Sequence, residues 1–308
     1  MKVVVTGGAG FIGANTCRTL VDRGHEVVAV DDLSTGSKSN LDGVDVRFVG
    51  GSILDDSVLD RALPGAGSVL HLAARPSVPK SIVDPVASHA ANASGTVAVL
   101  EAMRRHDVGH VVVAGSSSVY GANPTIPKHE DLVAQPISPY AASKLATEAY
   151  ALAWGASYGL GVLAFRFFNV FGPLQPAGHD YAAVVPAFVE AALAGRPLPI
   201  HGDGHQSRDF TYVGSVASTL ADAAERAVGH EGPVNLAFGS RVTLLELIDE
   251  LEAVVGHPLQ RQHLAERAGD VRHSQADQTR FRSLFPDAAP VALADGLRAT
   301  VDWFRSLG

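Results

Sequence analysis

In the stretch Ser138-Pro-Tyr-Ala-Ala-Ser-Lys144, a phenol and an ammonium, Tyr140 and Lys144, stand four residues apart. On a helix that spacing puts both side chains on one face. A phenol with an ordinary pKa near ~10 is a poor base at neutral pH, but an ammonium beside it stabilises the phenolate and draws that pKa down. Such a pair takes a proton from a substrate hydroxyl. Upstream, Gly115-Ser-Ser-Ser-Val-Tyr-Gly121 follows an apolar β-branched run, so its hydroxyls, led by Ser116, project from the carboxyl end of a strand. Open α/β sheets bind their ligands at that end.

Removing a proton from a carbinol calls for a hydride acceptor, and the amino terminus offers a place for one. Lys2-Val-Val-Val-Thr6 reads as a strand, stops at Gly7-Gly8-Ala9-Gly10, and gives way to a helical pattern over residues 11–23. Gly8-Ala9-Gly10-Phe11-Ile12-Gly13 has the spacing of a dinucleotide fingerprint, and Gly7, Gly10 and Gly13 have that of a related one. The context fits: strand, glycine turn, helix, and an acid, Asp31, closing the second strand. Bare backbone N–H groups at a helix N-terminus receive a pyrophosphate. Asp31, with Asp32 beside it, is expected to meet the adenosine ribose hydroxyls and to repel a 2′-phosphate, which favours NAD over NADP.

These side chains need a scaffold. Apolar strands near residues 26–31, 46–49, 68–72, 110–115 and 161–166 alternate with helical segments at 55–63, 84–106 and 139–158. Repeated βα units of that kind predict a doubly wound parallel sheet, an α/β Rossmann domain over residues 1–170. Beyond Asn169, Gly and Pro punctuate irregular connections between helices expected at 182–194, 213–228, 243–255 and 292–304. A smaller α/β domain over 171–308 is expected, with a soft boundary and interleaved segments.

The chain has 308 residues, 24 Lys and Arg against 32 Asp and Glu, and a net charge of −8, which argues against nucleic acid or an anionic membrane surface as partner. Only five of the cations are lysines, and none follows Lys144. One cysteine, Cys17, and a start on an apolar strand with no basic leader suit a reducing cytoplasm. No run reaches the ~20 apolar residues of a membrane helix. His201 and His205 flank Gly202-Asp203-Gly204, which is loop chemistry, so no metal is expected.

With these motifs in view, the chain resembles the extended short-chain dehydrogenase/reductases, and is similar to nucleoside-diphosphate-sugar 4-epimerases over nearly its full length. The matching elements are Thr6-Gly-Gly-Ala-Gly-Phe-Ile-Gly13, Asp31-Asp-Leu33, His71-Leu-Ala-Ala74, Asn92, Ser116 to Gly121 and Ser138 to Lys144. Further along come Arg166-Phe-Phe-Asn-Val-Phe-Gly-Pro173, Ser207-Arg-Asp-Phe210 and Arg267-Ala-Gly-Asp270. The resemblance implies that Tyr140 is the base, that Lys144 holds the nicotinamide ribose and tunes Tyr140, and that Ser116 bonds the sugar 4-oxygen with Ser118 as a second contact. It places Phe11, Ile12, Ser34, Ser52, Ile53, Leu72, Ala73, Ala74, Asn92 and Phe167 around the NAD, with Ser52 and Pro76 departing from the family's acid and Lys. On the substrate side it implies Asn169, Val184, Arg208, Arg267, Asp270 and Ser274, with the two arginines on the diphosphate of a UDP-sugar.

The family's dehydratases carry an Asp-Glu pair in the stretch that is Ser117-Ser118-Val119 here, so elimination of water lacks its acid. Its uronate enzymes tend to carry Thr at Asn169 or an Arg after Gly172-Pro173, where this chain has Leu174-Gln175-Pro176. Ser274 stands where a Tyr excludes an N-acetyl group. The resemblance therefore implies C4 epimerisation of UDP-GlcNAc and UDP-GalNAc, with UDP-Glc and UDP-Gal also accommodated. A UDP-glucuronate 4-epimerase or another sugar oxidoreductase such as a 4-ketoreductase is the alternative, and a non-catalytic NAD-sensing protein a remoter one. A homodimer through the helices at 84–106 and 139–158 is expected.

Overall fold

The computed structural model describes residues 1–177, 183–265 and 272–307. In chain order the strands are β1 (Lys2–Thr6), β2 (Glu26–Asp31), β3 (Arg47–Gly50), β4 (Ser68–His71), β5 (His110–Ser116), β6 (Gly161–Phe167) and β7 (Asn169–Phe171). Then come β8 (Leu198–His201), β9 (Ser207–Arg208), β10 (Phe210–Tyr212), β11 (Val234–Leu236), β12 (Val242–Thr243) and β13 (Arg261–Leu264). The helices are α1 (Phe11–Asp22), α2 (Asp56–Ala62), α3 (Val78–Val83), α4 (Pro85–His89), α5 (Gly95–Arg105) and α6 (Pro139–Tyr158). The later ones are α7 (Val184–Leu193), α8 (Val213–Glu225), α9 (Leu244–Val255), α10 (Thr279–Leu284) and α11 (Leu293–Ser306).

Seven parallel strands form one sheet in the order β11-β6-β5-β4-β1-β2-β3, the doubly wound arrangement expected from the alternating pattern. Both faces are covered, which is why its central strands are mostly apolar, with polar residues chiefly at their ends and Arg166 and Asn235 inside β6 and β11. Along β1 the side chains alternate: Val3 and Val5 pack with Cys17 and Leu20 of α1 and Val216 and Leu220 of α8, and Val4 faces Leu59, Leu100 and Met103. Thus α8 and β11, from beyond residue 170, belong to the first layer. A separate core gathers Phe171, Phe188, Ile200, Phe210, Ile248 and Val301. Among the described residues no helix is long and apolar enough to cross a membrane.

Two expectations change. The helix anticipated at 84–106 is in three pieces: α4, capped by Asp84, whose Oδ1 accepts from the Ala87 N–H at 3.0 Å, a π-helical turn over Ala90–Ser94, and α5. The Asn92 carbonyl accepts from the Thr96 and Thr147 hydroxyls at 2.6 and 3.0 Å, side-chain bonds of the kind that open a helical ladder. The connections after residue 169 are also less irregular than their Gly and Pro content implies. They hold parallel pairs β7·β10 and β8·β13 and an antiparallel pair β9·β12. Strands of two to four residues are too short to show a period, and Pro199 sits inside β8.

Candidate active site

Because every pairing in the main sheet is parallel, the carboxyl ends of β1, β2, β4, β5 and β6 reach one edge. There Thr6, Asp31, His71, Ser116 and Phe167 end their strands, and two cavities of ≈ 310 and ≈ 680 Å³ open along that edge. The smaller is lined by Gly7, Gly10, Phe11, Ile12, Gly13, Asp31, Leu72, Ala74, Ser116, Tyr140, Lys144 and Phe167. The larger takes Gly7, Asp31, Asp32, Ser34, Ser52, Ile53, Ala73 and Ala74, so the glycine turn belongs to both.

The turn works only without side chains. A Cβ on Gly13 would stand 2.0 Å from the Gly7 carbonyl oxygen, and one on Gly7, whose φ is +71°, would stand 2.7 Å from the Ala73 nitrogen. Asp31 is buried at the end of β2, and its carboxylate accepts from the Ala9 and Leu33 amides at 3.0 and 2.8 Å. Burial pushes its pKa up while those amides pull it down, and each oxygen keeps acceptor capacity for a ribose hydroxyl. Asp32 instead closes a turn on Ser34, accepting from its N–H and hydroxyl at 2.9 and 2.6 Å. A cradle that a Cβ would fill, a helix N-terminus and this acid together fit a dinucleotide.

Helix α6 starts at Ser138, whose hydroxyl accepts from the Ala141 N–H at 3.1 Å, and one turn of it carries Tyr140 and Lys144. The Lys144 Nζ, 4% exposed, donates to the Ala114 carbonyl at 2.8 Å, and burial pulls its pKa down to about 8. Tyr140 departs from the sequence expectation. Burial pushes its phenol up from the ordinary value, and the Ser116 hydroxyl beside it pulls the other way. The Lys144 ammonium is bonded to the strand carbonyl and is not among the groups that shift the phenol.

Ser116 Oγ also accepts from the Ser118 N–H and hydroxyl at 3.2 and 2.9 Å, so Ser118 stands behind Ser116. Asn92 lines neither of the two cavities; it is buried, takes the Arg75 N–H at 2.7 Å and donates to Ser143 Oγ at 2.9 Å. His71 is neutral, its pKa pulled down to about 3 by burial, and spans Thr6 and Thr96 at 2.8 and 3.1 Å.

A third cavity, ≈ 250 Å³, adjoins the first at Val170 and is lined by Asn169, Val184, His201, Gln206 and Arg208. Asn169 is positioned by β7 pairing with Phe210 on β10, and Arg208 by β9 pairing with Val242 on β12. Arg208 Nη1 donates to the Ser207 and Arg272 carbonyls at 2.9 and 3.3 Å. The next residue, Asp209, is fully buried; its carboxylate accepts from Ser240 Oγ at 3.0 Å and the Ala276 N–H at 3.1 Å, and burial raises its pKa to about 6. Ser274 lies alongside, its N–H donating to the Ser207 carbonyl at 3.0 Å. Arg267 and Asp270 lie outside the described residues. Thr35, Arg75, Lys80 and Gln175 also line these cavities, and no motif singled them out.

A model of the NAD dependent epimerase/dehydratase family matches residues 3–237. The chain is 38% identical to a UDP-glucose 4-epimerase of Mycolicibacterium smegmatis, over 99% of each. Its structure is similar to that of a UDP-N-acetylglucosamine 4-epimerase from Methanobrevibacter ruminantium in complex with UDP-N-acetylmuramic acid, with a TM-score of 0.94, 36% identity, and 100% and 99% of the chains covered. It is also similar to a UDP-glucuronic acid 4-epimerase from Bacillus cereus in complex with UDP-glucuronic acid and NAD, with a TM-score of 0.91, 28% identity, and 100% of both chains covered. With its doubly wound sheet and its glycine turn opening α1, the chain belongs to the NAD dependent epimerase/dehydratase family.

Proposed function

We propose that the chain is an NAD-dependent UDP-sugar 4-epimerase that favours UDP-GlcNAc and UDP-GalNAc and also accepts UDP-Glc and UDP-Gal. The observation that carries the reading is the meeting of two cavities at Val170, one holding Ser116, Tyr140 and Lys144 and the other Asn169 and Arg208. A UDP-sugar laid across that junction sets its diphosphate by Arg208 and Asn169 and its C4 by Tyr140. Arg267 and Asp270 extend the nucleotide site by the motif they share with the family.

Bound NAD supplies a hydride acceptor and donor at C4 and a positive ring charge that favours the phenolate. Tyr140 Oη takes the 4-hydroxyl proton, and Ser116 Oγ holds that oxygen before and after it becomes a ketone. Lys144 holds the nicotinamide ribose and keeps a positive charge behind Tyr140. NAD held by the glycine turn, Asp31 and Lys144 would supply the hydride chemistry at C4 for either face of the sugar, and Tyr140 gives the proton back to the C4 oxygen. Ser117 and Ser118 offer no acid for loss of water, which favours epimerisation over dehydration. At Ser274, a small side chain leaves room for a C2 acetamido group.

The test is incubation with each of the four UDP-sugars without added cofactor, followed by separation of the sugars. UDP-GlcNAc and UDP-GalNAc interconvert, and Tyr140→Phe lowers turnover by roughly 10²–10⁴ with bound NAD unchanged. Full activity in Tyr140→Phe overturns the mechanism. No turnover of the N-acetylated pair, with Ser274→Tyr leaving the other pair unchanged, overturns the preference.

A homodimer belongs to the same reading. Val86 on α4 and Tyr150 and Tyr158 on α6 are exposed apolar or aromatic residues on the helices expected to form the interface.

A further inference from the structure

Between the two short strands that carry the substrate-side residues, the chain changes partners at Asp209. Ser207–Arg208 of β9 pair antiparallel with β12, and Phe210–Tyr212 of β10 pair in parallel with β7. Such a switch leaves neighbouring amides outside either ladder, and buried amides need acceptors. Arg208 and Phe210 line the cavity of Asn169, while Asp209, between them, is fully buried on the other side of the chain.

Its carboxylate gathers two segments that are distant in sequence. Oδ1 accepts from the Ser240 hydroxyl at 3.0 Å and Oδ2 from the Ala276 N–H at 3.1 Å, and the Gly239 and Ser240 amides also donate to it. Gln275 joins those segments directly, its Nε2 donating to the Gly239 carbonyl at 3.0 Å. Ala276 lies two residues beyond Ser274, and the stretch between them is held on both flanks. The Ser274 N–H donates to the Ser207 carbonyl at 3.0 Å, and the Lys128 N–H donates to the Gln275 carbonyl at 2.8 Å. One buried carboxylate thus stands behind both Arg208 and Ser274.

Burying an ion is costly, so a carboxylate kept here supplies something a neutral side chain does not. Donors meet both of its oxygens, and an ionised acid is the side chain that presents acceptors at both. At neutral pH, above its raised pKa of about 6, Asp209 is that acid.

We propose that Asp209 is a positioning residue for the substrate: it holds the Ser274 stretch against β9 and so sets the spacing between Arg208 and Ser274 into which the UDP-sugar fits. This rests on the reading of those two as substrate residues. Asp209, Gly239, Ser240 and Ala276 line neither cavity along the glycine turn, so loosening the clamp acts on the sugar nucleotide and spares NAD.

The experiment compares NAD-loaded wild type, Asp209→Asn and Ser240→Ala by calorimetry with UDP-GlcNAc and UDP-glucose, by kcat and KM, and by NAD content. Asp209→Asn sets an NH2 group where an acceptor stood, against donors from both segments. It weakens sugar-nucleotide binding and raises KM about tenfold, the worth of one hydrogen bond to a charged group, with kcat within about threefold and NAD retained. Ser240→Ala, which removes one donor and leaves the acid, moves affinity the same way by about threefold, and decides the matter should Asp209→Asn not fold. Affinity unmoved in the folded variants overturns the proposal. So does a fall in kcat with affinity intact, which places Asp209 in the chemistry, and so does loss of NAD together with sugar affinity, which makes it a residue of general stability. If wild type epimerises no sugar and the variants still lose affinity for the sugar nucleotides with NAD retained, the epimerase reading falls and the positioning stands.

Discussion

Arg166 grips Glu148 with two hydrogen bonds, Nε to Oε2 at 2.8 Å and Nη2 to Oε1 at 2.7 Å, and both side chains are buried. The pair ties β6 to α6 one turn beyond Lys144, and the guanidinium also lies 4.7 Å from the centre of the Tyr120 ring. It therefore helps set the angle at which α6 presents Tyr140 and Lys144. Removing one partner leaves a buried charge uncompensated, so Glu148→Gln is expected to destabilise the fold by about 3–5 kcal/mol in urea unfolding. Removing both, as Glu148→Leu with Arg166→Met, is expected to cost less than the single change, and a double mutant as unstable as the single one contradicts this account.

The lowered pKa of Lys144 makes a prediction about pH. Its ammonium titrates near about 8 in the fold against an ordinary 10.5, so a reaction that needs its charge declines as pH rises through about 8. Stability moves the other way. Between those two values the unfolded chain binds the extra proton, and the contribution of Lys144 to folding grows with pH by about 3 kcal/mol over the window. Urea unfolding of wild type and Lys144→Met at pH 7.5 and 10 reads the difference, which shifts toward wild type at the higher pH. A difference that stays level shows that the lysine is not held at a lowered pKa.

Gly13→Ala should abolish NAD retention, because the added methyl would stand 2.0 Å from the Gly7 carbonyl oxygen, a backbone atom with no room to retreat. Gly24→Ala is not a fair control, since φ +81° strains any side chain there. Gly109→Ala is suitable, because nothing lies within 4 Å of its added Cβ. Absorbance of the purified proteins and chromatography of the released nucleotide check the outcome, and a Gly13→Ala protein that keeps its NAD excludes the cradle.

Sedimentation should give a two-chain mass for the wild type. Val86→Glu with Tyr158→Glu, at residues 77% and 54% exposed, should give one chain that keeps its NAD. A one-chain mass for the wild type across the micromolar range removes the dimer.

The fold was legible because strand, turn and helix each have a local signature, and the sheet order follows from repeated right-handed βα units. The glycine turn and the Tyr140–Lys144 pair stood out for a similar reason: each sits within a few consecutive residues. Other features depend on contacts between distant segments. Glu148 and Arg166 read as ordinary helix and strand residues until packing brings them together. The direction of the Tyr140 pKa depends on how deeply its hydroxyl is buried, which no local spacing reveals. Gln175 was visible only as a missing cation; the bond of its amide nitrogen to the Val170 carbonyl depends on how the turn folds back. The β7·β10 and β9·β12 pairs, two or three residues long, are products of chain crossings and have no period of their own.

The π-helical turn at Ala90–Ser94 has an evolutionary and practical consequence. Such a turn accommodates one residue more than an α-helix would, and one residue in a helix is about 100° of rotation. Deleting a single residue there would leave a continuous, well-formed helix whose downstream half faces the wrong way, carrying Val99, Leu100 and Met103 out of the core they share with β1. Length changes between relatives should thus be tolerated in the flanking loops and rejected within these five residues. A one-residue deletion scan across 84–106, scored by soluble yield, would map the boundary.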